Sequence, residues 1–192
     1  VIGNRVIVHA GGQDEKGTFG FDAKSGELKW SAPAGDHSYA SAHLVAIEGE
    51  ELVTMATNAG MRLLAPDSGE VRLVYDWKHH GYRALQPQLI DGNSILLATD
   101  AGVGTRRVKI TKSADQLVAE EVWTSRKLKA DFSDFVIYEN HLYGFDGSIF
   151  ACLDLATGER KWKGGRYGKG QVLLLADSGL LLVAGEQGQG VL

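Results

Sequence analysis

Four short polar segments of this chain carry the residue types that bind and react. They are Gly35-Asp36-His37-Ser38-Tyr39-Ala40-Ser41, Gly81-Tyr82-Arg83-Ala84-Leu85-Gln86, Lys129-Ala130-Asp131-Phe132-Ser133-Asp134 and Arg166-Tyr167-Gly168-Lys169-Gly170-Gln171. Tyr and Arg dominate recognition energetics, because each joins a large body to a polar tip. Asp36, Asp131 and Asp134 are the carboxylates here that could give or take a proton. A convergent polar ring is the usual form of a ligand site. On that reading the candidate binding residues are Tyr39, Tyr82, Arg83, Asp131, Asp134 and Tyr167. The plainer reading is a set of solvated side chains that bond water and one another.

Other reactive residues point to structure rather than chemistry. His79 and His80 are adjacent, and neighbours on an extended chain face opposite sides, so they do not share one ion. Neither His37 nor His43 completes a set at zinc spacing. No metal site and no catalytic set is therefore assigned. Cys152 lies between apolar neighbours and reads as a small buried side chain. As the one cysteine, it allows no internal disulfide. The formal charge is −4, so there is no basic field to attract nucleic acid. No apolar run approaches the ~20 residues of a membrane helix.

A repeat must position the four segments. Phe21 to Trp30 reads FDAKSGELKW, and Leu153 to Trp162 reads LDLATGERKW. A third copy, Leu64 to Trp77, carries an insertion before its Trp, and a fourth, Val108 to Trp123, has lost its Gly. Trp30, Trp77, Trp123 and Trp162 thus recur at intervals of 39 to 47 residues, the range of a four-stranded propeller blade. Upstream of each phrase lies a β-rich run: Arg5 to Ala10, Glu51 to Thr57, Ser94 to Thr99, and His141 to Phe145. Turns such as Asn58-Ala59-Gly60 and Asp146-Gly147 follow these runs and supply the positive φ of hairpins. Gly26, Gly69 and Gly158 serve the next turn, where Asp22 and Asp154 are expected to accept hydrogen bonds from backbone N–H groups. No stretch shows sustained 3.6-residue apolar periodicity, which predicts no helix longer than about two turns.

These phrases resemble the PQQ-type, or quinoprotein, β-propeller repeat, whose pattern is roughly A-x-D-x-x-T-G-x-x-x-W. The stretch Gly35 to Gly60 further resembles relatives of the outer-membrane-protein assembly lipoprotein. The resemblance implies an all-β fold of four-stranded antiparallel blades. It also implies that Trp30, Trp77, Trp123 and Trp162 are repeat residues. Trp30 and Trp162 are expected to be largely buried between blades, with a Gly-containing turn docked on the indole. The expected blades are 1–36, 37–80, 81–127, 128–166 and 167–192, the outer two incomplete, with further blades outside this sequence. Within such a fold the four polar segments lead into the first strand of each blade, where Tyr39, Tyr82, Arg83 and Tyr167 hold equivalent positions.

The functional expectation is a non-catalytic scaffold without cofactor for protein or ligand binding, with cell-envelope biogenesis as its setting and a protein as the expected partner. By resemblance alone, it is periplasmic or secreted. The alternative is part of a PQQ- and calcium-dependent alcohol or sugar dehydrogenase. That enzyme needs hard oxygen ligands for Ca²⁺ and a general-base carboxylate. Asp36, Asp131 and Asp134 would have to supply them, and no Trp outside the repeat positions is left to stack on a quinone.

Overall fold

The computed structural model describes residues 1–11, 17–35, 38–99 and 102–192; Asp36 and His37 lie outside them. The chain folds into five antiparallel sheets, with strands paired in sequence order inside each. The first holds β1 (Arg5–His9), β2 (Thr18–Asp22) and β3 (Leu28–Ala32). The second holds β4 (His43–Ile47), β5 (Glu50–Thr57), β6 (Gly60–Leu64) and β7 (Val71–Asp76). The third holds β8 (Gln88–Asp91), β9 (Ser94–Ala98), β10 (Thr105–Ser113) and β11 (Gln116–Ser125). The fourth holds β12 (Val136–Tyr138), β13 (His141–Asp146), β14 (Ile149–Asp154) and β15 (Arg160–Arg166). The fifth holds β16 (Gly170–Leu175), β17 (Leu180–Gly185) and β18 (Gly190–Val191). Among the described residues the only helical turn is the 3₁₀ turn Ala176–Ser178, in line with the missing helical periodicity. Two compact units divide the chain: residues 1–97 with 107–122, and residues 98–106 with 123–192.

Local chemistry explains the turns. Asp22 Oδ1 accepts from the backbone N–H groups of Lys24 at 3.0 Å and Ser25 at 2.9 Å. Asp154 Oδ1 accepts from Ala156 and Thr157, each at 3.0 Å. Each carboxylate therefore closes the turn that leads to the last strand of its sheet, as its position in the phrase predicts. A register shift then follows in each of the three copies that keep the Gly, at Gly20/Phe21, Leu63/Leu64 and Cys152/Leu153. Such a bulge adds one residue to a strand and rephases every side chain beyond it.

Two of the tryptophans, Trp30 and Trp123, join consecutive sheets. In the first unit Trp30 is 7% exposed and its Nε1 donates to Pro66 O at 3.1 Å. Gly69, from the turn between β6 and β7, lies flat against the indole, where a Cβ would collide with the ring. The second unit repeats the arrangement: Trp123 Nε1 donates to Leu155 O at 3.0 Å, and a Cβ on Gly158 would stand 2.7 Å from the Trp123 ring. Val53, Met55 and Leu64 complete the core around Trp30. Trp77 is also buried, with the Arg83 guanidinium 4.7 Å from its ring centroid. Trp162 corrects the expectation of burial, because it is 45% exposed. It touches Tyr143 and Phe150 within its own sheet, but no Ser/Thr-Gly-Glu turn follows it in residues 163–192 to lie over the indole.

Candidate functional site

In the first unit the structure brings together three of the six candidates. Residues 38–40 run beside residues 82 and 83: Tyr39 N donates to Arg83 O at 2.8 Å, and Ala40 N to the same oxygen at 3.1 Å. Ser38 Oγ donates to Ala56 O at 2.6 Å and fixes this segment to β5. The two tyrosine rings meet at a centroid distance of 5.2 Å, tilted by 56°. Tyr39 is 66% exposed and Tyr82 is 40% exposed, so the pair is an aromatic platform facing solvent.

Arg83 has a different place from the one its sequence suggests. It is 1% exposed, so it is no surface contact. Its Nε donates to Thr57 O at 2.9 Å, and its NH2 donates to Trp77 O at 3.0 Å. The same NH2 lies 3.4 Å from His79 Nδ1. The physical reason is burial: a guanidinium taken from water must be met by fixed acceptors, and the ends of β5 and β7 supply carbonyls. Arg83 is thus the peg that fixes the tyrosine platform to the sheet.

His79 carries a proton assignment. Its Nε2 stands 3.1 Å from Tyr82 O, which can only accept, and its Nδ1 faces Arg83, which can only donate. These contacts suit the neutral Nε2–H tautomer. Burial, reinforced by the Arg83 charge, lowers its proton affinity, opposed by backbone bonds to Tyr82 and Asn58. Beside it opens a cleft of about 580 Å³ lined by Gly35, Asn58, Ala59, Lys78, His79 and His80.

The second unit holds the other three candidates. Asp131, at φ 58°, places Oδ2 3.0 Å from Lys169 Nζ, and that ammonium lies 5.4 Å from the Phe132 ring centroid. Asp134 Oδ1 accepts from Phe135 N at 2.8 Å, while its own N–H donates to Gln171 Oε1 at 3.1 Å. Tyr167 packs against the apolar cluster of Phe145, Phe150 and Val183 and serves the core. A smaller cleft of about 220 Å³ lies against Phe132, Lys169, Gln171 and Glu186.

Among the described residues no group of three or more His, Cys, Asp or Glu is placed to hold a metal ion. Cys152 is 2% exposed, and burial pushes its thiol above the usual range, away from the reactive thiolate. One feature is not legible in the sequence: Lys129, Arg160 and Lys163 gather on Asp146, whose place before Gly147 reads only as a turn. Arg160 and Lys163 are three apart, so strand alternation alone would put them on opposite faces. The bulge at Cys152/Leu153 pairs them with Leu153 and Ala151 and returns them to one face.

Comparison with known proteins adds the family context. The family model described as outer membrane protein assembly factor BamB matches residues 1–164. No curated protein matches the chain. Among solved structures, the computationally designed protein Ika8 is 12% identical with a TM-score of 0.62. That alignment covers 99% of this chain and 55% of the designed one, a likeness of fold alone. BamB from Moraxella catarrhalis is 16% identical with a TM-score of 0.47, over 98% of this chain and 66% of that one. The chain therefore spans a little over half of the first structure and just under two thirds of the second.

Proposed function

Because the chain belongs to the family of the outer membrane protein assembly factor BamB, we propose that its PQQ-like β-propeller blades form a non-catalytic scaffold for a protein partner. In this reading it works in the periplasm, in assembly at the cell envelope. The observation that carries the proposal is the exposed Tyr39–Tyr82 pair, held by main-chain hydrogen bonds and by buried Arg83. Tyrosines add large contact area at low entropic cost, and a platform already fixed loses little freedom on binding. Two of the three carboxylates that a quinoprotein would need are otherwise engaged: Asp131 pairs with Lys169, and Asp134 bonds its neighbour's backbone. That favours the scaffold over the dehydrogenase.

One preparation of the intact protein tests this. Dye-linked alcohol oxidation with added PQQ and Ca²⁺ is expected to show no turnover. Partner binding is expected to fall by about 30-fold or more in Tyr39→Ala/Tyr82→Ala, the size of a hot-spot loss. Robust turnover would overturn the scaffold reading. Unchanged partner binding by the double variant would remove the proposed face.

A further inference from the structure

Asp146 ends β13 with its side chain only 4% exposed. Three cations from two other segments close on this one carboxylate. Lys163 Nζ lies 2.6 Å from Oδ2, Arg160 NH1 lies 3.1 Å from Oδ2, and Lys129 Nζ lies 3.5 Å from Oδ1. Nearby charges are already matched one to one: Lys127 pairs with Glu159, and Lys161 with Asp154. The Asp146 cluster is not matched. Three positive charges meet one negative charge, which leaves a local excess of two on a chain whose net charge is −4.

The cations also have donors to spare. An ammonium carries three N–H groups and a guanidinium five, and each side chain here spends one contact on Asp146. Lys129, Arg160 and Lys163 remain 42%, 34% and 29% exposed, so all three heads meet at Asp146 while keeping part of their surface in solvent. The buried carboxylate holds the three heads together, which would otherwise splay apart by mutual repulsion. A second anion would relieve that repulsion. It should carry close to two charges and have oxygens directed at three donors. A tetrahedral phosphate group does so, and Arg engages it with two parallel bonds.

We propose that Lys129, Arg160 and Lys163, gathered by Asp146, form a binding site for a phosphate group, either on a soluble compound or on a lipid headgroup. The site is independent of the tyrosine platform and does not require the scaffold reading.

The test is an amide-resolved NMR titration of the intact protein with inorganic phosphate, at ionic strength held constant with NaCl. Saturable shifts are expected at Lys129 and at Asp146 to Ser148, because Gly147 N donates to Lys129 O. Arg160→Gln and Lys163→Gln should each weaken binding by about tenfold, the loss of one charge-assisted contact. Lys24→Gln, at an exposed lysine elsewhere, should leave it unchanged. A retained native spectrum in the variants separates lost binding from lost fold. A second arm uses vesicles of phosphatidylcholine with and without phosphatidic acid, whose headgroup is a phosphate monoester. Sedimentation with the anionic vesicles alone, lost in both site variants, supports the proposal with a lipid source. Phosphate binding without vesicle binding supports it with a soluble source. Linear, unsaturable shifts overturn the proposal, as does equal weakening by Lys24→Gln or vesicle binding indifferent to Arg160 and Lys163.

Discussion

Gly158→Ala is the sharpest probe of how consecutive sheets are joined. Gly158 has φ +71° and its absent Cβ would lie 2.7 Å from two atoms of the Trp123 ring. Gly26, at the matching point of the first phrase, has nearly the same φ, +73°, but nothing within 4 Å of a Cβ. Alanine at either site bears the same backbone penalty, about 1–2 kcal/mol for the left-handed conformation. Only Gly158→Ala must also push apart a packed turn and indole, at a further cost of about 1–3 kcal/mol. The difference between the two variants therefore isolates the docking of turn on tryptophan. Urea denaturation followed by tryptophan fluorescence measures it as a shift in midpoint at constant m. Gly158→Ala should be the less stable of the two by about 1–3 kcal/mol, and Gly69→Ala should behave likewise through Trp30. Equal stabilities of Gly158→Ala and Gly26→Ala, within the ~0.5 kcal/mol scatter of surface changes, would refute the docking argument.

Three further outcomes follow from the same geometry. Trp123→Ala should cost about 3–5 kcal/mol, as for other large-to-small changes in cores, whereas Trp162→Ala, at a site 45% exposed, should cost much less in the same urea assay. Asp154 is held below the ordinary carboxylate range by Lys161 and by its bonds to Thr157, and Asp22 by the N–H groups of Ser25 and Lys24. Each therefore adds stability above the ordinary carboxylate pKa that is lost as pH falls through the lower folded value. Acid titration of Asp22→Asn/Asp154→Asn should show a flatter acid limb. His79 is lowered chiefly by burial, so the unfolded chain takes up its proton first as pH falls. Its contribution is complete above the ordinary histidine pKa and declines between that value and the lower folded one. In this window the wild type should lose stability, and His79→Gln should not.

The parts legible in the sequence are those whose cause is local. Asp22 and Asp154 bond N–H groups two and three residues away, so the phrase itself contains both partners. The strands and hairpins follow from alternating apolar runs and turn residues, and together they mark an all-β chain of propeller blades. Arg83 was misplaced because its acceptors, Thr57 O and Trp77 O, converge only once β5 and β7 are aligned. The Asp146 cluster was hidden by a bulge, which simple alternation cannot count. Trp162 was expected to be buried because its phrase matches that of Trp30. Burial of an indole depends on the next turn as well as on its own phrase, as Gly69 shows for Trp30.

The most direct test of the scaffold account is photo-crosslinking from the platform itself. A photoreactive phenylalanine analogue replaces Tyr39 in the intact protein, which is expressed in its own cells and irradiated. The account predicts one discrete adduct with a protein of the outer-membrane assembly apparatus, its yield strongly reduced by Tyr82→Ala. A folded protein that gives no adduct from position 39, or one whose yield is indifferent to Tyr82, would contradict the account.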